Sequence, residues 1–177
     1  MSATAIEPVA PRDIERVAAI HKACFDDAWS GDMIRRVLGT AGAFGLVARA
    51  GADLSVVAFA LARIAVDECE LLSLGVAPDR RREGIGAALL DAAMERAAAL
   101  RVRHFFLEVG EFNAPARRLY ESRGLKVVGR RAGYYAIEGG AAMDALTMRC
   151  EPDFLAARVA PEGRQETCER RAMSSRS

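Results

Sequence analysis

Between Leu71 and Leu90 the chain reads LLSLGVAPDRRREGIGAALL, and this stretch constrains the fold more than any other. It opens as a continuous apolar run, breaks at Ala77-Pro78-Asp79 and passes three arginines. It then crosses Gly84 and Gly86 and resumes as an apolar pattern at helical spacing. A buried strand, a turn and a helix start are therefore packed together. The glycine-bearing turn lies where the first amides of the helix lack intrahelical partners and carry positive partial charge, so anions bind there readily. Glycine has no Cβ, which lets a phosphate approach the backbone, and the arginines at 80 to 82 add long-range attraction. Ordinary turn punctuation is the rival reading of so short a pattern. A P-loop is excluded because no lysine or hydroxyl follows Gly86. A dinucleotide fingerprint is excluded because Leu89 stands where its third glycine belongs. What remains is a loop that holds a diphosphate through backbone amides, without a metal.

The 177 residues are enough for one domain with a substantial core, expected over 1–150. A net charge of +1 argues against a dedicated nucleic-acid binder, which needs a clear basic excess. Cys24, Cys69, Cys150 and Cys168 show no metal spacing and read as reduced thiols of a cytoplasmic protein. No apolar run is long enough to span a membrane, and the N-terminus does not read as a secretion signal. Residues 162–177 are rich in Arg, Glu and Ser, with little to bury, and 151–177 is expected to be a disordered tail.

The rest of the chain reads as alternating elements. Residues 3–9 suit a first strand, and Pro11-Arg12-Asp13 starts a helix through Cys24. Ser30 suits an N-cap for a helix over Asp32–Leu38, and Trp29 reads first as a core anchor, second as a substrate contact. Phe44–Arg49 and Leu54–Ile64 form a hairpin, followed by a strand over Leu71–Val76 and a helix over Gly84–Leu100. His104–Val109 is a strand whose alternation puts Phe105, Leu107 and Val109 on one face and His104, Phe106 and Glu108 on the other. A helix over Asn113–Arg123 stops at Gly124. Leu125–Val128, Tyr134–Ile137 and Ala145–Cys150 extend again. The expected architecture is α/β (α+β): a mixed, mostly antiparallel sheet of about seven strands flanked by about four helices.

Glu108 stands near the end of an otherwise apolar strand. A carboxylate there is either paired structurally or tuned as a general base. Tyr120 follows twelve residues later in a helix, as core or as a proton donor. Glu68 and Glu70 are rival bases, although solvated strand-edge charges describe them better. His21 and His104 each lack a partner at metal spacing, so no metal site is expected.

Four segments together resemble the GNAT superfamily of acetyl-CoA-dependent N-acetyltransferases. They are L-G-V-A-P-D-R-R-R-E-G-I-G-A-A-L-L, L-E-V-x-x-x-N-x-x-A-x-x-L-Y-x-x-x-G-L, R-A-G-Y-Y and Asp144-Ala145. Within it they are most similar to the RimI group, which acetylates protein N-termini, typically the N-terminal alanine of a small-subunit ribosomal protein. The resemblance implies that Leu74, Gly75 and Val76 line the pantetheine and acetyl end, with the Val76 amide polarising the thioester carbonyl. It implies that Arg81, Arg82, Glu83, Gly84, Ile85, Gly86 and Ala87 hold the pyrophosphate of acetyl-CoA and that Asn113 contacts the pantetheine arm. It gives Glu108 the part of general base and Tyr120 that of general acid, both facing one cleft. Two positions depart from the pattern. Gly110 replaces the basic residue often found two after the glutamate, and Pro115 enters the following helix.

The implied chemistry is self-consistent. An α-amine has a pKa of about 8 against about 10.4 for lysine, so freeing it at neutral pH costs roughly 3 kcal/mol less. A single carboxylate then suffices, and no covalent enzyme intermediate is needed. The implied partner is a protein N-terminus, with no direct contact to nucleic acid or membrane. The alternatives are a GNAT enzyme acting on lysine or a small amine, and a CoA-binding module without catalysis. A pure binder needs neither Glu108 nor Tyr120.

Overall fold

A computed structural model describes residues 4–136 and 142–150 of the chain. The expected tail, Cys168 and Ile137 lie outside the described residues. In chain order the elements are β1 (Ala5–Pro8), α1 (Ile14–Cys24), α2 (Gly31–Leu38), β2 (Ala43–Ala50), β3 (Ser55–Ala65) and β4 (Glu68–Val76). They continue as α3 (Ile85–Ala99), β5 (His104–Gly110), α4 (Ala114–Glu121), β6 (Lys126–Ala136) and β7 (Ala142–Cys150). The strands form one seven-stranded sheet in the order β1-β2-β3-β4-β5-β7-β6. Only β4 and β5 pair in parallel, joined through α3, and every other neighbouring pair is antiparallel. This is the mixed, mostly antiparallel sheet that the sequence predicts.

Continuous apolar runs in β2 and β3 require cover on both faces. Phe44–Ala48 and Val56–Ala62 contain no exposed residue. On one face α1 and α2 bring Val17, Ile20 and Ile34 against Phe59 and Leu61. On the other, α3 and α4 bring Leu89, Leu90, Ala93 and Tyr120 against Phe105, Leu107 and Val109. The start of α1 is fixed by charge. Asp13 accepts the Ala10 N–H at 2.9 Å and the Arg49 guanidinium at 2.9 Å on each oxygen, while Arg49 also donates to Glu7. Burial pushes the Asp13 carboxyl up, but these bonds outweigh it and hold it below the usual carboxylate range. The Ser30 hydroxyl caps α2 as expected, accepting from Met33 N–H at 3.2 Å.

The structure departs from the sequence reading at three places. β4 begins at Glu68, three residues before the apolar run, because Glu68–Leu71 pairs on one side with β3 and on the other with β5. The two short extensions expected around Gly129 and Gly133 are one strand, β6. Gly129 and Gly133 fall where the β6–β7 register shifts, so they accommodate bulges inside a strand. The long helix starts at Ile85, with Gly84 as its N-cap at φ 81°.

Candidate active site

The site grows from a break in the sheet. The register between β3 and β4 slips between Leu61↔Ser73 and Ala62↔Leu71, which places a bulge at Leu72. A bulge bends its strand and raises the local twist. Pairing of β4 with β5 runs from Glu68↔His104 to Leu71↔Leu107, yet both strands continue beyond it. Past Leu71 and Leu107 they part. Leu74, Gly75 and Val76 lie on the parted stretch of β4, and Glu108 follows directly on β5.

Main-chain direction there can be read from the ladder. Ala77 N–H donates to Val57 O of β3 at 2.9 Å. Successive amides of a strand point to opposite edges, so Val76 N–H faces away from β3, toward the side where pairing with β5 has ended. The Val76 carbonyl on that same edge accepts from the Cys24 thiol at 3.3 Å and from Arg81 Nε at 3.2 Å. Leu74 and Val76 pack against the α3 side, whereas Gly75 faces α1. A Cβ on Gly75 would lie 2.7 Å from the Phe59 ring, so glycine is required by close packing.

The turn after β4 has the features of an anion cradle. Arg82 and Gly84 adopt φ of 66° and 81°, and α3 begins with neither a side-chain cap nor an acidic residue in its first turn. The leading amides of α3 are therefore left for another acceptor. A Cβ built on Gly84 would meet nothing within 4 Å, so the backbone is open to a ligand at that point. Ile85 anchors the turn in the core, and Gly86 faces Val76, Leu119 and Leu74 at ordinary contact distance. Glu83 pairs with Arg80 at 3.0 Å, and that bond holds its carboxyl below the usual range. Asn113 is the N-cap of α4, its Oδ1 accepting from Ala116 N–H at 3.2 Å.

Glu108 and Tyr120 lie on opposite faces of the sheet, to either side of the opening between β4 and β5. Tyr120 is buried among Phe105, Leu107 and Val109 on the α3–α4 side. Strand alternation puts Glu108 on the opposite side, where its carboxylate accepts from Arg131 Nη1 at 2.8 Å. The parting of β4 and β5 is the break in the sheet between the two faces. Of the rival bases, Glu70 accepts from Arg63 directly across the hairpin at 3.2 Å. Glu68 is exposed at the far end of β4, roughly 26 Å from Val76 at 3.3 Å per residue. Neither stands at the opening.

Neighbouring groups hold this end of the sheet in place. Arg130 pairs with Glu111 and with Asp144 at 3.2 Å, and Asp144 also accepts the Gly133 N–H at 2.9 Å, tying the β5–α4 turn to β6 and β7. His21 is buried, accepts the Trp29 N–H on Nδ1 at 3.2 Å and stacks on Trp29 and Phe59. Burial pushes its pKa down and so favours the neutral ring, and the bond from Trp29 makes Nδ1 the acceptor nitrogen. Trp29 thus anchors the α1–α2 connection, as the sequence suggests. Among the described residues no three His, Cys, Asp or Glu side chains come together as a metal cluster. None of the helices there is long and apolar enough to cross a membrane.

Sequence reasoning missed the Arg131–Glu108 pair and the Arg81–Val76–Cys24 contact. The first joins residues 23 apart through the strand order, and the second needs α1 to bring Cys24 beside Val76 and Arg81.

Comparison with known proteins agrees with this fold. The [ribosomal protein bS18]-alanine N-acetyltransferase of Haemophilus ducreyi is 29% identical over 143 residues, covering 81% of this chain and 97% of that protein. The crystal structure of the ribosomal-protein-S18-alanine N-acetyltransferase from Escherichia coli superposes with a TM-score of 0.77 at 27% identity, covering 84% of this chain and 94% of that one. Arabidopsis thaliana NAA60, solved in complex with acetyl-CoA, shares the fold at 23% identity and a TM-score of 0.75, covering 85% of this chain and 99% of that one. Residues 14–125, from the start of α1 to the strand after α4, match a single family across the cradle and the parted strands alike, and the chain belongs to the acetyltransferase (GNAT) family.

Proposed function

We propose that this chain transfers an acetyl group from acetyl-CoA to the N-terminal α-amine of a protein, with the N-terminal alanine of a small-subunit ribosomal protein as acceptor. The observation that carries the reading is the likeness to a bS18-alanine N-acetyltransferase over nearly that enzyme's whole length. The opening between β4 and β5, with a carboxylate at its edge, supports it. With a ribosomal acceptor, the proposed setting of the reaction is the cytoplasm.

The residues present fit the co-substrate. Amides of Arg82 to Ala87, with the left-handed turns at Arg82 and Gly84, suit the pyrophosphate, and Leu74, Gly75 and Val76 suit the pantetheine arm. Asn113, with its Oδ1 on the cap of α4, is left to meet the arm through its amide NH2. Acetyl-CoA supplies the activated acyl group. Val76 N–H, aimed at the opening, donates to negative charge developing there. Glu108 takes the proton of the incoming amine, and Tyr120, from the other face, holds the proton that the departing sulfur needs. The acceptor amine therefore enters from the Glu108 side and the cofactor from the α3–α4 side.

The test is mass spectrometry of peptides incubated with acetyl-CoA. A peptide with free N-terminal alanine is expected to gain one acetyl group, and the same peptide with a blocked N-terminus and an internal lysine is expected to stay unmodified. Equal turnover of the two would favour a lysine or small-amine enzyme. No turnover of any amine with intact CoA binding would favour a non-catalytic module.

A further inference from the structure

The three consecutive arginines after β4 are not equivalent. Arg80 is bound to Glu83 through three contacts of 3.0 to 3.3 Å, so its charge is largely answered within the turn. Arg82 makes no hydrogen bond or ion pair with any described residue and sits exposed at φ 66°, at the lip of the cradle. Arg81 turns the other way. Its Nε donates to Val76 O at 3.2 Å, and its Nη2 lies 3.5 Å from Cys24 Sγ, the atom that itself donates to Val76 O at 3.3 Å.

From this geometry we infer a division of labour: Arg81 is a positioning residue that fixes the Val76–Ala77 peptide unit, next to the unit that carries the Val76 N–H, and Arg82 is the arginine that supplies charge to the diphosphate. A carbonyl oxygen has two lone pairs, and here two side chains from different elements occupy them. They come from the end of α1 and from the turn, not from a strand partner. Beyond Leu71 β3 still pairs with β4 on one edge but β5 no longer does on the other, so on that open edge the clamp holds the carbonyl of the residue whose N–H faces the opening. Lysine has no fork with which to touch the carbonyl and the sulfur together, so the side chain at 81 matters for shape beyond charge. This inference rests on the reading that acetyl-CoA occupies the turn after β4.

The experiment compares Arg81→Gln, Arg81→Lys and Arg82→Gln with the wild-type chain. Calorimetry measures the affinity for adenosine 3′-phosphate 5′-diphosphate, the nucleotide part of CoA. Steady-state kinetics with acetyl-CoA gives kcat, and hydrogen exchange reports the amides of Gly75 to Ala77. Both Arg81 variants are expected to bind the nucleotide within about threefold of wild type, to lose about tenfold or more in kcat, and to exchange these amides faster. Arg82→Gln is expected to weaken the nucleotide about tenfold with no change in exchange. The division is overturned if Arg81→Lys keeps full kcat, if Arg81→Gln weakens the nucleotide as much as Arg82→Gln, or if exchange at Gly75 to Ala77 is unchanged. A wild-type chain that binds no nucleotide overturns the cofactor reading itself, a result distinct from all three.

Discussion

Gly84 and Gly86 stand two residues apart where the turn meets α3, yet the structure gives them opposite consequences on replacement by alanine. Gly84 stands at φ 81°, where a side chain costs about 1–2 kcal/mol, and a Cβ there meets no protein atom within 4 Å. Gly84→Ala should therefore lower Tm by roughly 2–8 °C, at 2–4 °C per kcal/mol for a chain of this size. Gly86 lies inside α3, and its Cβ would touch Val76, Leu119 and Leu74 at 3.4 to 3.7 Å without collision. Gly86→Ala should gain about 0.5–1 kcal/mol from helix propensity and raise Tm slightly. Binding should not follow stability. The methyl on residue 84 projects into the open side of the cradle, and the methyl on residue 86 projects toward Leu74 and Val76 beside the opening. Both should raise the Kd for acetyl-CoA about tenfold or more, equivalent to 1.4 kcal/mol. Thermal melts and calorimetry on the same preparations check both halves. A Gly84→Ala chain as stable as wild type would refute the backbone argument, and one that binds acetyl-CoA unchanged would refute the cradle.

Glu108→Gln and Tyr120→Phe should each lower kcat by roughly 10²- to 10⁴-fold with little change in acetyl-CoA affinity. The Glu108→Gln loss should shrink at higher pH, where the amine deprotonates unaided, and a pH–rate profile tests this. Asp13→Asn removes one partner of a buried pair and should cost about 3 kcal/mol in denaturant unfolding, near the low end for such pairs because Arg49 keeps Glu7. Because the folded Asp13 carboxyl titrates below its unfolded value of 3.8, its contribution is present above that pH and is lost as pH falls through the folded value. The acid limb of the stability curve should therefore flatten in the variant. His21 also titrates lower in the fold than its unfolded 6.5, so the unfolded chain binds more protons and stability should fall on acidification below about pH 6.5. His21→Phe keeps the stacking, removes that slope and leaves Trp29 N–H without its acceptor, at a cost of about 1–3 kcal/mol by thermal unfolding.

The sequence by itself determined most of the elements and the family. Periodicity marks α1 and α3, the apolar run marks β4, and the glycines mark the turn, because each is a local property of consecutive residues. The alternation in HFFLEV even assigns Glu108 to the face away from Phe105 and Leu107. Strand extent was less legible, since Gly129 and Gly133 read as breaks until a partner strand shows them to be bulges. What only the tertiary structure decided is how distant segments meet. The opening between β4 and β5 depends on a bulge at Leu72 that no residue type announces. The pairing of Glu108 with Arg131 follows from β7 lying between β5 and β6, and Tyr120 lies across the sheet from Glu108 because α4 returns it to the cluster around Phe105 and Leu107. The same holds for Arg81, whose role among three identical neighbours is set by a carbonyl and a thiol that folding brings beside it. Local pattern specifies which element a residue joins. The direction in which its side chain finds a partner is a property of the packed whole.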